Sequence, residues 1–494
     1  MSGSSAPLWL FADQLGPHIH SSEQNVERDV VVIESAAALR RRAGHRQKAH
    51  LLLSGMRHLA RELGDRARYI RADGYRDALA ELTGPVAVHE PTSRKAHQFV
   101  HRLAAEGLVD EVLPNPSFAL SREDFAQWAG ENKTFRMEAF YRRQRTRFDV
   151  LMDGDEPAGG TWNYDHDNRQ PPPKRNTLGV DDPWWPTEDD IDEEVRADLD
   201  AMDLPWTGND GPRLFAVTGD EAQAALRTFI DQRLATFGPF EDAIMTDDWA
   251  MSHSLLSVPL NLSLLDPLDV VHAAERAARE GDVSLASAEG FVRQILGWRE
   301  YVWHLYWHFG EDYTARNELA ANTSLPEWFR DLDAEAVTAR CLSDALSGVR
   351  DRGWVHHIPR LMVLGSHALQ RGYDPAELTA WFTANFVDGY EWVMPVNVIG
   401  MSQHADGGLM ATKPYTSGGA YINKMSDHCR DCEFDPKKRV GEDACPFTAG
   451  YWAFTHRHRK MLGDNNRTRR QVSNMNRLGD LEALLAQERV RDRF

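Results

Sequence analysis

The chain has 494 residues, of which 42% are hydrophobic, so two or three domains with buried cores are expected. Its 75 Asp and Glu outnumber its 56 Lys and Arg, and the net charge of −19 excludes a surface that is basic all over. No secretory signal or long apolar run is visible, which predicts a cytoplasmic protein without a membrane span.

Short apolar runs alternate with helical patterns in the first part of the chain. Five runs predict buried parallel strands, at 7–13, 29–35, 49–55, 67–72 and 85–91. This alternation is typical of a doubly wound α/β domain, predicted over residues 1–145. The first strand is followed by "ADQLG" (12–16) instead of a GxGxxG motif. That segment is either part of a ligand site at the end of the strand or a plain helix cap.

Residues 146–220 are rich in turn formers and predict a connector. Trp162, Trp184 and Trp185 indicate that this connector packs onto a domain. Its acidic run at 181–203 holds eleven carboxylates and one base, and is expected to be a solvated face.

Residues 221–494 have helical spacing almost throughout and predict an all-α domain. The segment "EGFVRQILGWREYVWHLYWHF" (289–309) is apolar on too many sides for a surface helix, so it is expected to be buried. Most of the fifteen tryptophans are expected in the core of this domain, although a row of them could also relay electrons.

Three of the four cysteines lie within residues 429–445. Cys429 and Cys432 form a CxxC pair, Cys445 precedes a proline, and Cys341 lies far upstream. Four thiolates can hold tetrahedral zinc or a cubane iron–sulfur cluster. The uneven spacing favours a cluster over zinc, and unligated thiols remain the third alternative.

Histidines and basic residues mark two further segments. Residues 354–408 contain His356, His357, His367 and His404, for which a general acid and a purely structural role are both open. Residues 456–470 carry six Lys and Arg against one acid and predict a phosphate-binding face or a solvated helix end. Residues 135–148 are comparably basic.

Several motifs together resemble one family, the iron–sulfur bacterial cryptochromes and photolyases. This family is the prokaryotic (6-4) photolyase branch of the cryptochrome/photolyase superfamily. The resemblance extends from the first strand to beyond residue 450. It rests on "LWLFADQLG", "GFVRQILGWREYVW", "WVHHIPRLMVLGSHAL", "FVDGYEWVMPVNVIGMSQHADGG" and "CRDCEFDPKKRVGEDACPF".

The resemblance implies an α/β antenna domain, a long connector and an all-α domain that holds FAD. It implies a 4Fe-4S cluster on Cys341, Cys429, Cys432 and Cys445. It also implies a 6,7-dimethyl-8-ribityllumazine antenna, for which Asp13, Gln14 and Glu34 are the predicted contacts.

The implied FAD site has two kinds of candidate residue. The turn "MSHSLLS" (251–257) resembles a phosphate-binding turn, and Asp388 resembles the superfamily aspartate at the isoalloxazine edge. Met394 stands where many photolyases have asparagine, which leaves the surroundings of flavin N5 undefined. The predicted FAD contacts are Ser254, Leu255, Leu256, Arg293, Gln294, Arg299, Asp388 and Asn397.

The implied activity is light-driven repair, in which excited, reduced FAD gives an electron to a (6-4) pyrimidine dimer flipped out of DNA. His357, with His356 as second choice, is the predicted acid. Tyr415 and Met401 resemble lesion-pocket residues, and Trp381 resembles a relay residue. Lys413 and residues 456–470 are expected to hold phosphates of UV-damaged DNA.

Two other readings stay open. One is a blue-light photoreceptor that signals through flavin photoreduction, and the other is an iron–sulfur nucleic-acid module without photochemistry. The protein is expected to be monomeric and, when bound to DNA, to be found with the bacterial or archaeal nucleoid.

Overall fold

The computed structural model describes residues 6–132 and 134–494. Residues 1–5 and residue 133 belong to the predicted first domain and lie outside the described residues. The first part of the chain forms a five-stranded parallel sheet in the order β3-β2-β1-β4-β5. Its strands are β1 Leu8–Leu10, β2 Val30–Ser35, β3 Ala67–Ala72, β4 Val86–His89 and β5 Val109–Leu113. The chain order reverses between β1 and β4, which creates a crevice at their carboxyl ends.

Helices flank this sheet, which confirms the predicted doubly wound α/β architecture. They are α1 Pro17–His20, α2 Ala36–Arg41, α3 Arg46–Leu63, α4 Tyr75–Ala80 and α5 Arg94–Ala105. The next two helices, α6 Arg122–Glu131 and α7 Met137–Phe148, pack against the helical part of the chain instead. The residues of β1 and β2 are entirely buried, as the continuous apolar runs predict.

The strand predicted at 49–55 is wrong, because these residues lie inside α3, an 18-residue helix. The run is built from Ala, His and Leu instead of β-branched residues, and a short apolar run does not separate a buried helix from a strand. The fifth strand is Val109–Leu113, "VDEVL", whose two acidic residues break the apolar run.

The connector carries a short hairpin of β6 Met152–Asp153 and β7 Glu156–Pro157, then α8 Asp190–Ala201. The acidic run at 181–203 is only partly exposed to solvent. The expectation of a solvated face is wrong for the side of α8 that packs against α3. Asp192 is fully buried and accepts hydrogen bonds from Ser54 (2.7 Å) and His50 (3.0 Å) of α3. Trp184 packs against the main core, whereas Trp185 is exposed.

The remainder is largely helical, as predicted. The α-helices are α9 Gly219–Thr228, α10 Leu234–Phe240, α11 Ser257–Asn261, α12 Pro267–Glu280, α13 Leu285–Val292, α14 Glu300–Phe309, α15 Glu327–Arg330, α16 Arg340–Arg352, α17 Ser366–Arg371, α18 Pro375–Asn385, α19 Gly419–Met425, α20 Pro446–Arg457, α21 Arg459–Asp464, α22 Arg469–Met475 and α23 Leu481–Glu488. π-helical segments lie at Phe229–Arg233, Arg293–Arg299, Pro359–Gly365 and Val396–Ser402. Turns of 3₁₀-helix lie at Gly64–Arg66, Ala158–Gly160, Glu311–Ala315, Ala334–Ala336 and His428–Arg430.

One large core joins the sheet to the helical part. It contains Leu8 and Val30 of the sheet together with Phe291 and Leu296 of the buried helix. No helix among the described residues combines the length and apolar character of a membrane span. The domain boundaries at 145 and 220 remain predictions.

Candidate functional site

Asp388 lies in the turn after α18 and is buried. Its carboxylate accepts hydrogen bonds from Arg360 at 2.8 Å and 3.0 Å. Arg360 belongs to the π-helical segment Pro359–Gly365 and also donates to the carbonyl of Val355 (2.6 Å). The side chain of Asn261 donates to the Asp388 carbonyl (3.3 Å), so both ends of this residue are fixed.

His253 links the predicted phosphate turn to the predicted histidine pair. Its ring stacks on that of His356, with centroids 4.2 Å apart and planes 20° apart. His356 is buried and neither of its ring nitrogens has a partner among the described residues. Arg360 lies four residues further on, so the turn, the histidines and Asp388 come together.

The side chain of His357 is exposed to solvent at its surface, but the protein atoms around its ring are numerous enough to desolvate it. Burial, and then the positive charges of Arg360 and Arg169, lower the pKa of His357 to about 4. Its imidazole is therefore neutral at pH 7, with one N–H to donate.

The segment 251–257 has the irregular backbone expected of a ligand-binding turn. Leu255 has a φ of +56°, which leucine rarely adopts. The Ser254 hydroxyl accepts from the backbone N–H of Leu256 (3.3 Å), whereas the buried Ser257 hydroxyl has no partner among the described residues.

The buried segment 289–309 forms α13, a π-helical segment and α14, and the π-helical segment carries three predicted FAD contacts. Arg293 pairs with Asp165 and leaves its Nη2 without a partner. Gln294 donates to the carbonyl of Gly290 (2.8 Å). Arg299 donates to the carbonyls of Ser117 (2.9 Å) and Leu260 (3.1 Å), so its guanidinium braces the junction with the sheet domain.

Sequence reasoning missed a charged cluster beside this segment. Arg169 lies 3.5 Å from both Glu241 Oε1 and Asp242 Oδ2, and its charge also acts on His357. Burial raises the pKa of Glu241 to about 7, against the lowering effect of Arg293. Arg169, Arg293 and the adjacent acids Glu241 and Asp242 come from three separate segments, and no spacing in the sequence connects them. Arg360 was also missed, although it lies within the histidine-rich segment.

Three other predicted site residues, Met401, Tyr415 and Trp381, lie in or against two core clusters. Met401 is buried in one cluster, and Tyr415 packs against that cluster with Lys413 5.9 Å from its ring centroid. Trp381 is buried in the cluster that contains Cys341 and Cys445, with its ring 4.7 Å from that of Phe329. Asn397 is half-buried and donates to the carbonyl of Val393 (2.9 Å).

The four cysteines line one cavity. Cys341 comes from α16, Cys429 from the 3₁₀ turn at 428–430, and Cys445 immediately precedes α20. Burial and then the neighbouring thiols raise the pKa of Cys341 well above its usual value. Among the described residues, no three of the sulfurs lie within 4.8 Å of one another. Tetrahedral zinc needs sulfur–sulfur distances of about 3.8 Å, so the wider spacing suits a group with several metal ions.

The crevice of the sheet holds Asp13 and Gln14. Asp13 accepts from the Thr92 hydroxyl (2.6 Å), and burial raises its pKa. The Gln14 side chain is engaged with backbone at both ends, since it donates to His89 and Glu90 and accepts from the N–H of Phe11.

Glu34, the third predicted antenna contact, is buried at the end of β2. It pairs with Arg57 of α3 at 3.1 Å and accepts from the Tyr69 hydroxyl. Its carboxylate is therefore already bound within the protein.

The basic segment 456–470 lies across α20, α21 and α22 beside Lys413. Arg467 donates to the Thr412 hydroxyl (2.6 Å), and Asn465 to the Thr412 carbonyl (2.8 Å). All six Lys and Arg of the segment are exposed. By contrast, the basic segment at 135–148 is largely paired with acids, for example Arg143 with Glu131 (2.8 Å).

Comparisons with known proteins agree with this architecture. Residues 8–212 match the family described as deoxyribodipyrimidine photo-lyase-related protein. The chain is also 39% identical over 478 residues to a protein named (6-4) photolyase from Agrobacterium fabrum, covering 93% of each chain.

The chain belongs to the bacterial cryptochrome/photolyase family.

Two solved structures have a similar fold. A class III photolyase from Agrobacterium tumefaciens covers 97% of this chain and 99% of its own, with 18% identity and a TM-score of 0.61. A cryptochrome from Synechocystis sp. PCC6803 covers 85% and 86%, with 14% identity and a TM-score of 0.56. The predicted fold class and family are confirmed, and membership of this photolyase family implies FAD as a cofactor.

Proposed function

We propose that this protein is a light-driven DNA repair enzyme, a (6-4) photolyase. The observation that carries the proposal is the 39% identity, over 93% of both chains, to a protein named (6-4) photolyase. The site geometry also supports the proposal, because Arg360 joins the predicted residues His356 and Asp388 in one region, where His253 of the predicted phosphate turn stacks on His356.

FAD would be held by the turn at 251–257 and by the buried helix. Unsatisfied buried groups support this placement, since Arg293 Nη2, His253 Nε2 and Ser257 Oγ have no partner among the described residues. Asp388 and Asn397 would face the isoalloxazine. When bound and reduced, FAD supplies the excited-state electron that starts repair.

His357 would give the lesion a proton or a hydrogen bond. With its pKa lowered to about 4, it would act from the neutral imidazole, whose N–H donates to an oxygen or nitrogen of the lesion. Met401, Tyr415 and His356 would shape the pocket for the flipped bases, and Lys413 and residues 456–470 would hold phosphates.

The cysteine cavity would hold a 4Fe-4S cluster. The separation of the sulfurs and the four soft ligands in one cavity support this assignment over zinc. Trp381 would belong to a relay toward the flavin, since it shares a core cluster with two of these cysteines.

A ribityllumazine antenna would lie in the crevice of the sheet. Of the three predicted contacts, Asp13 has the fewest protein partners, since its carboxylate accepts one side-chain hydrogen bond, from Thr92. Gln14 makes three hydrogen bonds to backbone, and Glu34 is bound by both Arg57 and Tyr69.

The test is repair of an oligonucleotide with a single (6-4) lesion under blue light and reducing, anaerobic conditions. We expect thymines to be restored by the wild type and by an H166A variant, which removes an exposed histidine. We expect H357A to bind FAD but to lose repair. A wild type that photoreduces its flavin without restoring thymines would identify a photoreceptor instead.

A further inference from the structure

Lys48 of α3 reaches from the sheet domain to the turn that holds Asp388. Its ammonium group donates to the carbonyl of Thr383 (2.8 Å) and to the carbonyl of Gly389. It also lies 5.4 Å from the centroid of the Tyr390 ring.

This ammonium group has an unusual set of partners. Among the described residues, no carboxylate oxygen lies within 4.0 Å of Lys48 Nζ, although a largely buried charge is ordinarily paired. Asp388 is the acidic group whose field acts on Lys48, but its carboxylate is bound by Arg360. The positive charge of Lys48 is therefore left available to whatever lies against this turn.

The turn has little room to move. A Cβ added at Gly389 would come within 2.6 Å of the Phe382 carbonyl and 3.0 Å of the Thr383 carbonyl. Lys48 and Arg360 hold the turn from two elements, α3 and the π-helical segment at 359–365.

The amino end of α3 is itself fixed against α18. The backbone N–H of His45 donates to the Ala384 carbonyl (2.9 Å), and Gly44 is packed so tightly that a Cβ would come within 2.5 Å of the same oxygen. Lys48 therefore approaches the turn from a rigid support, so its charge has a defined position.

We propose that Lys48 is a positioning residue of the flavin site, which fixes the Gly389 carbonyl and supplies a positive charge that favours the reduced, electron-rich cofactor. The inference rests on the proposed function, because it places FAD against the Asp388 turn. It assigns to the sheet domain a direct part in setting the redox balance of the helical domain.

Other charges around Lys48 are few. Asp388 and Tyr390 face it from the turn, and Arg42 faces it from the end of α2. Burial, with a contribution from Arg42, lowers the pKa of Lys48 to about 7. The ammonium form therefore predominates below pH 7, and the positioning should weaken as the pH rises through that value.

Redox titration of the bound flavin tests whether the positive charge of Lys48 favours the reduced cofactor. At an ambient potential where wild-type flavin is half reduced, we expect K48M to lower the ratio of reduced to oxidised flavin about tenfold, and K48R to stay near the wild type. K174M removes an exposed lysine of the connector and should change nothing. Equal ratios in wild type and K48M would overturn the proposal, as would a K48R variant displaced as far as K48M.

Hydrogen exchange tests the positioning without using the flavin. Amides of residues 386–390 should exchange faster in K48M than in K48R or the wild type, and unchanged exchange would overturn the positioning role. If the wild type binds no flavin, the proposed function fails, whereas the exchange experiment still decides the role of Lys48.

Discussion

His253 and His356 stack face to face, with ring centroids 4.2 Å apart, inside the helical domain. Burial lowers the pKa of His253 to about 3 and that of His356 well below its usual value. Two adjacent imidazolium ions would also repel each other. The folded state therefore keeps both rings neutral.

This pair should make folding sensitive to acid. Below about pH 6.5 these histidines bind protons in the unfolded chain but not in the folded chain. Each of them therefore lowers the free energy of unfolding by about 1.4 kcal/mol for every pH unit of acidification, until the pH reaches its pKa in the folded state. Denaturant unfolding at pH 7.5 and 5.5 measures this loss. Between these pH values we expect the free energy of unfolding to fall less in the H356F variant than in the wild type. H166F, at an exposed site, should match the wild type. Equal losses in H356F and wild type would contradict the account.

The ion pair between Arg360 and Asp388 should contribute strongly to stability. Arg360→Met leaves a buried carboxylate without its partner, which costs about 3–5 kcal/mol. Denaturant unfolding of the flavin-free protein measures the loss. The double variant R360M/D388L should recover most of it, and R76M, which breaks the exposed pair with Glu106, should change little. A small effect of R360M would mean that water reaches Asp388.

Gly419 and Gly418 form a matched pair for testing the cysteine cavity. A Cβ at Gly419 would overlap the Thr448 hydroxyl and lie 3.0 Å from Cys445 Sγ, whereas one at Gly418 would touch only Tyr451 at 3.7 Å. We expect G419A to lose bound iron and about 1–3 kcal/mol of stability through overpacking, and G418A to keep both. Iron analysis and thermal unfolding are the measurements. An iron content in G419A equal to that of the wild type would contradict this expectation, because it would show that the residues around the cavity can shift to accept the added methyl group.

Substitution of Asp192 in α8 should destabilise the protein far more than substitution of Asp190, although the two residues are close in sequence. Asp192 is fully buried and pairs with Arg213 at 3.2 Å, whereas the Asp190 side chain is exposed. Asp192→Asn should cost about 3–5 kcal/mol in denaturant unfolding. Asp190→Asn should cost far less, and equal losses would refute the packing of α8 on α3.

Exposed arginines of the basic segment should control the salt dependence of DNA binding. We expect R469A to weaken binding to any duplex and to reduce the slope of log affinity against log salt by about 1, because it removes one phosphate contact. R143A, which removes an arginine already paired with Glu131, is the control and should leave the slope unchanged. Fluorescence anisotropy over a salt series measures both variants.

The parts of this protein that were predictable depend on local patterns. Strands β1 and β2 are continuous buried apolar runs, and the helical spacing after residue 220 is regular. The run at 49–55 was misassigned because a buried helix face of leucines resembles a buried strand. Arg169 could not be predicted as a neighbour of His357, since their proximity arises only from long-range packing. Arg360 lies four residues after His356, but its pairing with Asp388 joins two separate segments and has no signal in the sequence.

The distribution of the cysteines has a consequence for how the protein matures. Cys341 lies in the first turn of α16 and Cys445 immediately precedes α20, whereas the CxxC pair lies in the segment between these helices. Most of the polypeptide must leave the ribosome before the last thiol becomes available, so the proposed cluster would be acquired late in biogenesis. If the proposed cluster is present, cells starved of iron should accumulate chains whose sheet domain is complete while their carboxyl-terminal helices remain vulnerable to proteases.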